Sequence, residues 1–264
     1  MSQFRIDIQN GVARLTLTRP EKHNAFDDRL IAGLTHALWE LEGNPEIRIL
    51  VLAAEGPSFS AGAELEWMKR AAAAGEAENL ADARKLAELM RTLDEFSRPT
   101  IAAVQGPAYG GGVGLVACCD VAIASTAAKF SLSEVKLGLI PSAIGPYVVR
   151  AIGPRQARRW FQTAEVFDAA TASVIGLVHE FVEPDAVEAR VEEIAAALLK
   201  GAPGACREAK RLVSDIAWRP INAAMIEMTA MRIAQIRTRE EAKEGLDAFL
   251  TRRPGGWTRQ GGAQ

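Results

Sequence analysis

Apolar and polar side chains alternate at the start of the chain. Phe4, Ile6 and Ile8 each stand between polar residues, and after Asn10-Gly11 the alternation resumes from Val12 to Thr18. An Asn-Gly pair between two alternating runs is a strong signal for a two-residue hairpin loop. The pattern therefore predicts two antiparallel strands at the start of the fold.

Short apolar runs and amphipathic stretches follow in turn. Ile49 to Ala53, Thr100 to Val104 and Val121 to Ser125 are bounded by polar or turn residues, which is typical of strands buried on both faces. Strand, glycine-containing turn and helix thus recur, and this order indicates an α/β fold. The helices that apolar spacing predicts in this half are Leu30 to Glu42, Ala63 to Ala74, a longer one through Leu86 and Phe96, and Val113 to Cys119.

From Pro154 onward the spacing predicts a mainly helical chain. Apolar faces continue after the α/β part is complete, so we expect the last helices to pack on the core or on another subunit. We therefore divide the chain into a core, residues 1–200, and a C-terminal helical oligomerisation region, residues 201–264. The predicted helices are Arg155 to Thr163, Ala169 to Ile175, Ala186 to Leu199, Ala205 to Val213 and a long stretch from Asn222 to Leu250.

Composition and charge narrow the class of protein. With 48% hydrophobic residues in 264, the chain can bury a large core without disulfides or a structural metal. Lys and Arg total 31 against 33 Asp and Glu, which leaves no broad basic surface for nucleic acid. The three cysteines form no Cys-x-x-Cys pair, and no segment is typical of a signal peptide or a membrane span. We expect a cytoplasmic protein that contacts neither nucleic acid nor membrane.

Two glycine-containing segments connect a predicted strand to a predicted helix. In Phe59 to Leu65 the small side chains let a ligand approach the backbone, although an ordinary loop would look the same. In Gly106 to Gly112 three consecutive glycines indicate either a tight packing turn or a backbone that a ligand touches. Gly112 to Ala117 also matches a dinucleotide fingerprint, but weakly, because that fingerprint should follow its strand at once.

Two further segments carry candidate chemistry. Glu134 lies in the mostly apolar stretch from Phe130 to Ile140, where a carboxyl group could have a raised pKa and act as acid or base, or simply be solvated. Leu139 to Pro146 is a turn before a helix. The free N–H groups of that helix could bind a water or an oxygen, or the segment could be a plain proline-marked turn without a role in binding. The three histidines, His23, His36 and His179, have no spacing for a metal site or a triad.

Taken together, these segments resemble the enoyl-CoA hydratase/isomerase family, also called crotonases. The resemblance covers nearly the whole chain, and its strength lies in the order and spacing of its pieces. It implies a spiral of ββα units, a C-terminal helical region that trimerises, and hexamers built from two trimers. The pieces that carry it are Leu17 to Ala25, Ala61 to Leu65, the three glycines, Cys119-Asp120, Ser133 to Gly138 and Gly245 to Arg253.

The resemblance also implies roles for individual residues. The backbone N–H groups of Ala63 and Gly111 would bind the oxygen of an acyl-CoA thioester, and Glu134 would be the catalytic carboxylate. No permanent cofactor is implied, because coenzyme A is part of the substrate, and no metal is expected. The implied coenzyme A contacts are Lys22, Ala25, Ala61 and Leu65, with Phe249 and Arg252 reaching the nucleotide of a neighbouring subunit in a homotrimer or homohexamer.

One position departs from the family's pattern. Hydratases of this family typically carry a second glutamate two residues after the glycine turn, where this chain has Gly114, and no acid is nearer than Asp120. A single carboxylate must then move both protons in sequence, or the substrate must contribute a group of its own. The stretches Gly110 to Val116 and Ser133 to Arg150 look most like bacterial hydratases of branched, carboxylated enoyl-CoAs, the methylglutaconyl-CoA type of leucine catabolism.

This likeness favours hydration, and two other functions remain open as alternatives. A hydratase could use Glu134 alone, and an isomerase needs only one base to move a proton between Cα and Cγ. A non-catalytic acyl-CoA or partner-binding protein is disfavoured by the retention of Glu134 beside both backbone motifs. A carboxylated substrate would favour a cation near its distal end, and Lys69 and Arg70 are candidates, although a solvated helix face is the better explanation of both.

Overall fold

The computed structural model describes residues 3–259, and nine strands in this range form two sheets. The larger sheet has the order β1-β2-β3-β4-β6-β9, and the smaller has the order β5-β7-β8. The strands are β1 (Phe4–Gln9), β2 (Val12–Leu17), β3 (Ile49–Ala54), β4 (Thr100–Val104), β5 (Ala108–Tyr109), β6 (Val121–Ser125), β7 (Lys129–Ser131), β8 (Phe167–Asp168) and β9 (Glu180–Val182).

The predicted hairpin is confirmed. β1 and β2 are antiparallel, with Phe4 opposite Leu17 and Gln9 opposite Val12. Asn10 and Gly11 have φ values of 51° and 80°, the positive values that a tight hairpin loop demands. The remaining neighbours in the larger sheet, from β2 through β9, pair in parallel. The carboxyl ends of these parallel strands therefore share one edge of the sheet.

Helices cover both faces of the larger sheet, which confirms the predicted α/β class. Side chains of β3 alternate: Leu50 and Leu52 pack with the larger core cluster, whereas Ile49 and Val51 pack with Val191 of the helix on the other face. The helices are α1 (Asp28–Gly43), α2 (Leu65–Ala73), α3 (Glu76–Asp94), α4 (Gly111–Cys118), α5 (Gly145–Thr163), α6 (Ala169–Ile175), α7 (Val187–Leu199), α8 (Pro203–Ile216), α9 (Ala223–Thr238) and α10 (Glu240–Leu250).

Some helix boundaries differ from the prediction, for reasons that lie outside the local pattern. α2 begins at Leu65 and not at Ala63, because Ala63 forms a parallel bridge with Phe26 and stays extended. α5 begins ten residues before Arg155 and is kinked at Gly153-Pro154, where Gly153 has φ 74° and ψ 158°. The predicted stretch from Asn222 to Leu250 is interrupted at Arg239, whose ψ of 149° separates α9 from α10.

The C-terminal helices pack at the amino ends of the parallel strands, which form one edge of the larger sheet, called the amino edge below. Lys210 of α8 donates to Asp120, just before β6, at 2.8 Å. Arg48, just before β3, donates to the carbonyl oxygens of Leu199, Gly201 and Trp257 at 2.9, 2.6 and 3.1 Å. This region is therefore fixed on the side of the sheet away from the carboxyl ends of the strands.

Candidate active site

Two backbone segments meet where β3 and β4 end. Because these strands are parallel neighbours, Ser60 to Ala63 and Ala108 to Gly111 emerge at the same edge. Ser60 forms a parallel bridge with Ala108, and Tyr109 N–H donates to the Ser60 oxygen at 2.8 Å. A Cβ atom on Gly62 would lie 2.8 Å from the Tyr109 oxygen and 3.5 Å from the Gly111 nitrogen. Only glycine at position 62 allows this close approach.

The N–H groups of Ala63 and Gly111 are both available in this arrangement. Gly111 is the first residue of α4, and the N–H groups of a first helical turn have no partner within the helix. Phe26 N–H donates to the Gly62 oxygen and Glu64 N–H donates to the Phe26 oxygen, so the Ala63 N–H points away from Phe26. Among residues 3–259, neither N–H donates to a protein acceptor. Two free donors on adjoining segments can bind an oxygen that carries negative charge.

The small sheet brings Glu134 to the same place. β5 and β7 pair in parallel with Tyr109 beside Ser131, and Gly110 N–H donates to the Ser131 oxygen at 2.9 Å. Glu134 follows β7 in a short 3₁₀ helix, Ser133–Leu137. A Cβ atom on Gly110 would lie 3.1 Å from Glu134 Oε1, so the carboxyl group lies against the residue that precedes the free Gly111 N–H.

The environment of Glu134 suits a proton-transfer group. Burial raises the pKa of its carboxyl group. Its Oε2 atom is buried, and within the part of the chain that the structure describes it has no hydrogen-bond partner. Buried polar atoms are normally paired, so an unpaired carboxylate oxygen on a side chain that lies against Gly110 indicates a group kept ready for a ligand.

Asp120 is not a substitute for the second carboxylate that the sequence lacks. It lies at the amino edge of the sheet, where its Oδ2 accepts from Thr100 N–H at 2.8 Å and from Lys210 at 2.8 Å. Gly114, the position where that carboxylate would stand, is buried and lies against Ile144 and Met90. The contact between Ile144 and Gly114 could not be predicted from the sequence, because it joins segments 30 residues apart.

The predicted coenzyme A residues separate into two groups. Four of them lie in or beside the segment that contains Ala63. There Ala61 N–H donates to the His23 carbonyl oxygen, and the Lys22 ammonium lies 3.3 Å from the Glu64 carboxylate. The members of this group are Lys22, Ala25, Ala61 and Leu65. Phe249 and Arg252 lie at and just beyond the end of α10, in the C-terminal region at the other edge of the sheet. Within one chain the structure therefore does not bring them to Glu134.

Other candidate groups near the site are engaged elsewhere or lie apart from it. The Lys69 ammonium pairs with Glu66 at 2.7 Å and the Arg70 guanidinium pairs with Asp28 at 2.7 Å, both on exposed surface. A cavity of about 870 Å³ lies at the amino edge, between Arg48, Lys200 and Trp257, and has no part in this site. In residues 3–259, no three His, Cys, Asp or Glu side chains are grouped to hold a metal, and no helix has the length and hydropathy to cross a membrane.

Comparisons with known proteins show which proteins this chain is similar to. The family described as Enoyl-CoA hydratase/isomerase matches residues 7–260 of the chain. The crystal structure of an enoyl-CoA hydratase from Shewanella pealeana is 44% identical and has a TM-score of 0.94, covering 97% of this chain and 96% of that one. A crotonyl-CoA hydratase from Syntrophomonas wolfei is 32% identical over 94% of this chain and 95% of its own length. An (E)-benzylidenesuccinyl-CoA hydratase from Thauera aromatica is 32% identical over 94% of this chain and 96% of its own length.

Proposed function

This chain belongs to the enoyl-CoA hydratase/isomerase family, and we propose that it hydrates the double bond of a branched or carboxylated 2-enoyl-CoA with Glu134 as its single acid–base group. The observation that carries the proposal is the buried, unpaired Oε2 of Glu134, on a carboxyl group that lies against Gly110, the residue before Gly111. A methylglutaconyl-CoA type of substrate is the specific form of this proposal.

The two free N–H groups would stabilise the charge that develops during the reaction. As water adds at Cβ, the π electrons of the double bond move toward the thioester and negative charge collects on its oxygen. Donors from Ala63 and Gly111 that are fixed before the reaction would each stabilise that charge by about 3 kcal/mol. Gly111 is also the first residue of α4, where the helix dipole favours negative charge.

Glu134 would then carry out two proton transfers in sequence. Its carboxylate takes a proton from water as the water oxygen bonds to Cβ, and the resulting carboxylic acid returns that proton to Cα as the enolate collapses. A raised pKa serves both steps, because a carboxyl group whose pKa approaches the working pH can hold a proton briefly and release it. A second acid group would assist the proton transfer to Cα, and a carboxylated substrate carries such a group.

Two lines of support favour a carboxylated substrate. One is the likeness of Gly110 to Val116 and of Ser133 to Arg150 to hydratases of such substrates. The other is the similarity to a relative whose name gives a succinyl-type thioester as its substrate.

Isomerisation is the second candidate function, because one carboxylate such as Glu134 suffices to shift a double bond. A role in binding acyl-CoA without turnover is a third candidate, and the buried carboxyl group with its unpaired Oε2 argues against it.

We further propose that coenzyme A binds along Lys22, Ala25, Ala61 and Leu65. Phe249 and Arg252 would contact the nucleotide bound to another subunit, since their place at the far edge of the sheet separates them from their own site. This assignment needs a homotrimer or a dimer of trimers, held by the helical region that follows residue 200. A cytoplasmic location stays a prediction from the sequence.

A direct assay tests the proposed function. Loss of the ultraviolet absorbance of the enoyl thioester is followed with crotonyl-CoA and with 3-methylglutaconyl-CoA, for the wild type, Glu134→Gln and the control Glu165→Gln. Glu165 is an exposed carboxylate that pairs with Arg159. We expect turnover of the branched diacid thioester and a loss of about 10²–10⁴-fold in Glu134→Gln alone. Equal rates in all three proteins would remove Glu134 from the mechanism, and a shifted double bond without added oxygen would favour the isomerase.

A further inference from the structure

The space beside Gly114 is already filled by another side chain. A Cβ atom on Gly114 would lie 2.3 Å from Ile144 Cγ2, 2.9 Å from Ile144 Cβ and 3.2 Å from Met90 Cε. Real side chains do not approach so closely, so no residue larger than glycine fits unless Ile144 moves. Ile144 is 2% exposed and Met90 is fully buried. Position 114 is therefore enclosed by apolar atoms.

Position 114 matters because of its place on α4. Residues three apart on a helix lie on the same face with Cα atoms about 5 Å apart, so a side chain at 114 would start one turn from the free Gly111 N–H. A long side chain at 114 could reach an acyl chain whose thioester oxygen is bound there. In this protein the Ile144 side chain fills the volume that such a side chain would need.

Ile144 is held firmly in this place. It is the N-cap residue of α5, and its carbonyl oxygen accepts from Tyr147 N–H and Val148 N–H, each at 3.1 Å. Its β-branched side chain has few alternative rotamers. Met90 is the adaptable neighbour, because a thioether side chain can adjust its shape. Ile144 is thus the residue that decides whether position 114 can carry a side chain.

We propose that Ile144 is a specificity-determining residue, which keeps this site to one carboxylate and thereby sets its preference for substrates that carry a carboxyl group of their own. The proposal rests on the proposed function of Glu134 and deepens it. A straight-chain enoyl thioester offers no acid group to supplement Glu134, whereas a carboxylated acyl chain brings one into the site. An acid at position 114 would remove that advantage, and Ile144 prevents it sterically.

The test combines Gly114→Glu with Ile144→Gly. Glycine and not alanine is needed at 144, because even the Ile144 Cβ would lie 2.9 Å from the new Cβ. Gly114→Glu alone is expected to lower Tm and activity with every substrate. In the Ile144→Gly background, adding Gly114→Glu is expected to lower Tm little or not at all. The double variant and Ile144→Gly should therefore have similar Tm values. The double variant should also raise the ratio of kcat/KM for crotonyl-CoA to that for 3-methylglutaconyl-CoA at least tenfold, and add a second ionisation to its pH profile.

Controls separate this proposal from the one on which it rests. Ile152→Gly removes a buried isoleucine from the same helix, far along from Gly114, and combining it with Gly114→Glu should recover neither Tm nor activity. A Gly114→Glu protein as stable as the wild type would overturn steric exclusion by Ile144. A double variant with an unchanged substrate ratio would overturn its role in specificity. Full activity of Glu134→Gln would instead refute the proposed function, while the Tm comparison would still report on Ile144.

Discussion

At the residue scale, the raised pKa of Glu134 predicts a specific pH dependence of the reaction. The carboxyl group must be ionised to take a proton from water, and burial moves its pKa above that of a solvated glutamate, which is about 4.3. We therefore expect kcat/KM to fall with decreasing pH along a limb whose midpoint lies above that value. Initial rates across buffers of constant ionic strength measure it, and a midpoint at or below about 4.3 would contradict the burial argument.

The same pKa shift predicts a change in stability. Because the fold raises the pKa of Glu134, it favours the protonated form, so the contribution is favourable at low pH and is lost as the pH rises through the folded-state pKa. Glu134→Gln should therefore raise Tm at neutral pH, by about 2–4 °C if the gain is about 1 kcal/mol. Thermal unfolding at several pH values checks this, and the gain should shrink as the medium becomes acidic. A glutamine variant that is less stable at neutral pH would speak against an unpaired, desolvated carboxylate.

Gly110 fixes the position of Glu134 through the space that it leaves empty. Its φ of 48° and ψ of −117° suit glycine alone, and an added Cβ would lie 3.1 Å from Glu134 Oε1. Gly153 supplies a matched control, because it has φ 74° and ψ 158° with nothing within 4 Å of an added Cβ. We expect both alanine variants to lose about 1–3 kcal/mol of stability. Only Gly110→Ala should also lose activity, by roughly 10–100-fold in the folded protein, and equal activities would show that Gly110 has no positioning role.

At the element scale, Asp120 attaches α8 to the amino ends of β4 and β6. It accepts from Thr100 N–H and from Lys210, whose side chain is 15% exposed. Asp120→Ala therefore leaves Thr100 N–H unpaired and leaves Lys210 with its 3.3 Å hydrogen bond to the Arg98 carbonyl oxygen. We expect Asp120→Ala to lower the free energy of unfolding, measured with denaturant, by about 2 kcal/mol. The control Asp185→Ala, at an exposed position, should lower it by about 0.5 kcal/mol or less. Enoyl thioester turnover per folded molecule should be unchanged, because Asp120 lies at the other edge from Glu134. Abolished turnover in a folded Asp120→Asn protein would instead make Asp120 a second catalytic acid.

At the scale of the whole molecule, the C-terminal helices are incompletely packed within one chain. Neither α8 nor α9 contains a buried residue, whereas α1 buries seven. Ile226 and Ile233 are 60% and 47% exposed and lie seven residues apart, on one face of α9. An exposed apolar face of this kind indicates contact with another protein surface. The proposed trimer supplies one.

Charge on that face should therefore prevent assembly. We expect Ile226→Glu/Ile233→Glu to elute as a monomer in size-exclusion chromatography with light scattering, because two carboxylates cannot be buried in an apolar interface. Trp39→Glu, on an equally exposed position of α1, should leave the assembly unchanged. A wild-type protein that is monomeric at micromolar concentration would contradict the proposed oligomer and the role of Phe249 and Arg252 in trans.

The sequence alone determined what depends on neighbours in the chain. The β1–β2 hairpin follows from Asn10-Gly11 between alternating runs, and β3, β4 and β6 follow from short apolar runs. The glycine segments and Glu134 were identified because small residues and a carboxylate in apolar surroundings are unusual locally. The roles assigned to Ala63, Gly111 and Glu134 came from resemblance and remain proposals. The structure brings Gly62 close to the Gly111 backbone and Glu134 Oε1 close to Gly110.

Tertiary structure alone decided what depends on segments far apart in the chain. Ala63 stays extended because Phe26 pairs with it, and β5, β7 and β8 are too short to stand out in the sequence yet carry Glu134 to Gly110. Gly114 is enclosed because α5 brings Ile144 onto α4. The physical reason is that local propensity acts over a few residues. Close packing, in contrast, constrains each side chain by neighbours that can come from any part of the chain.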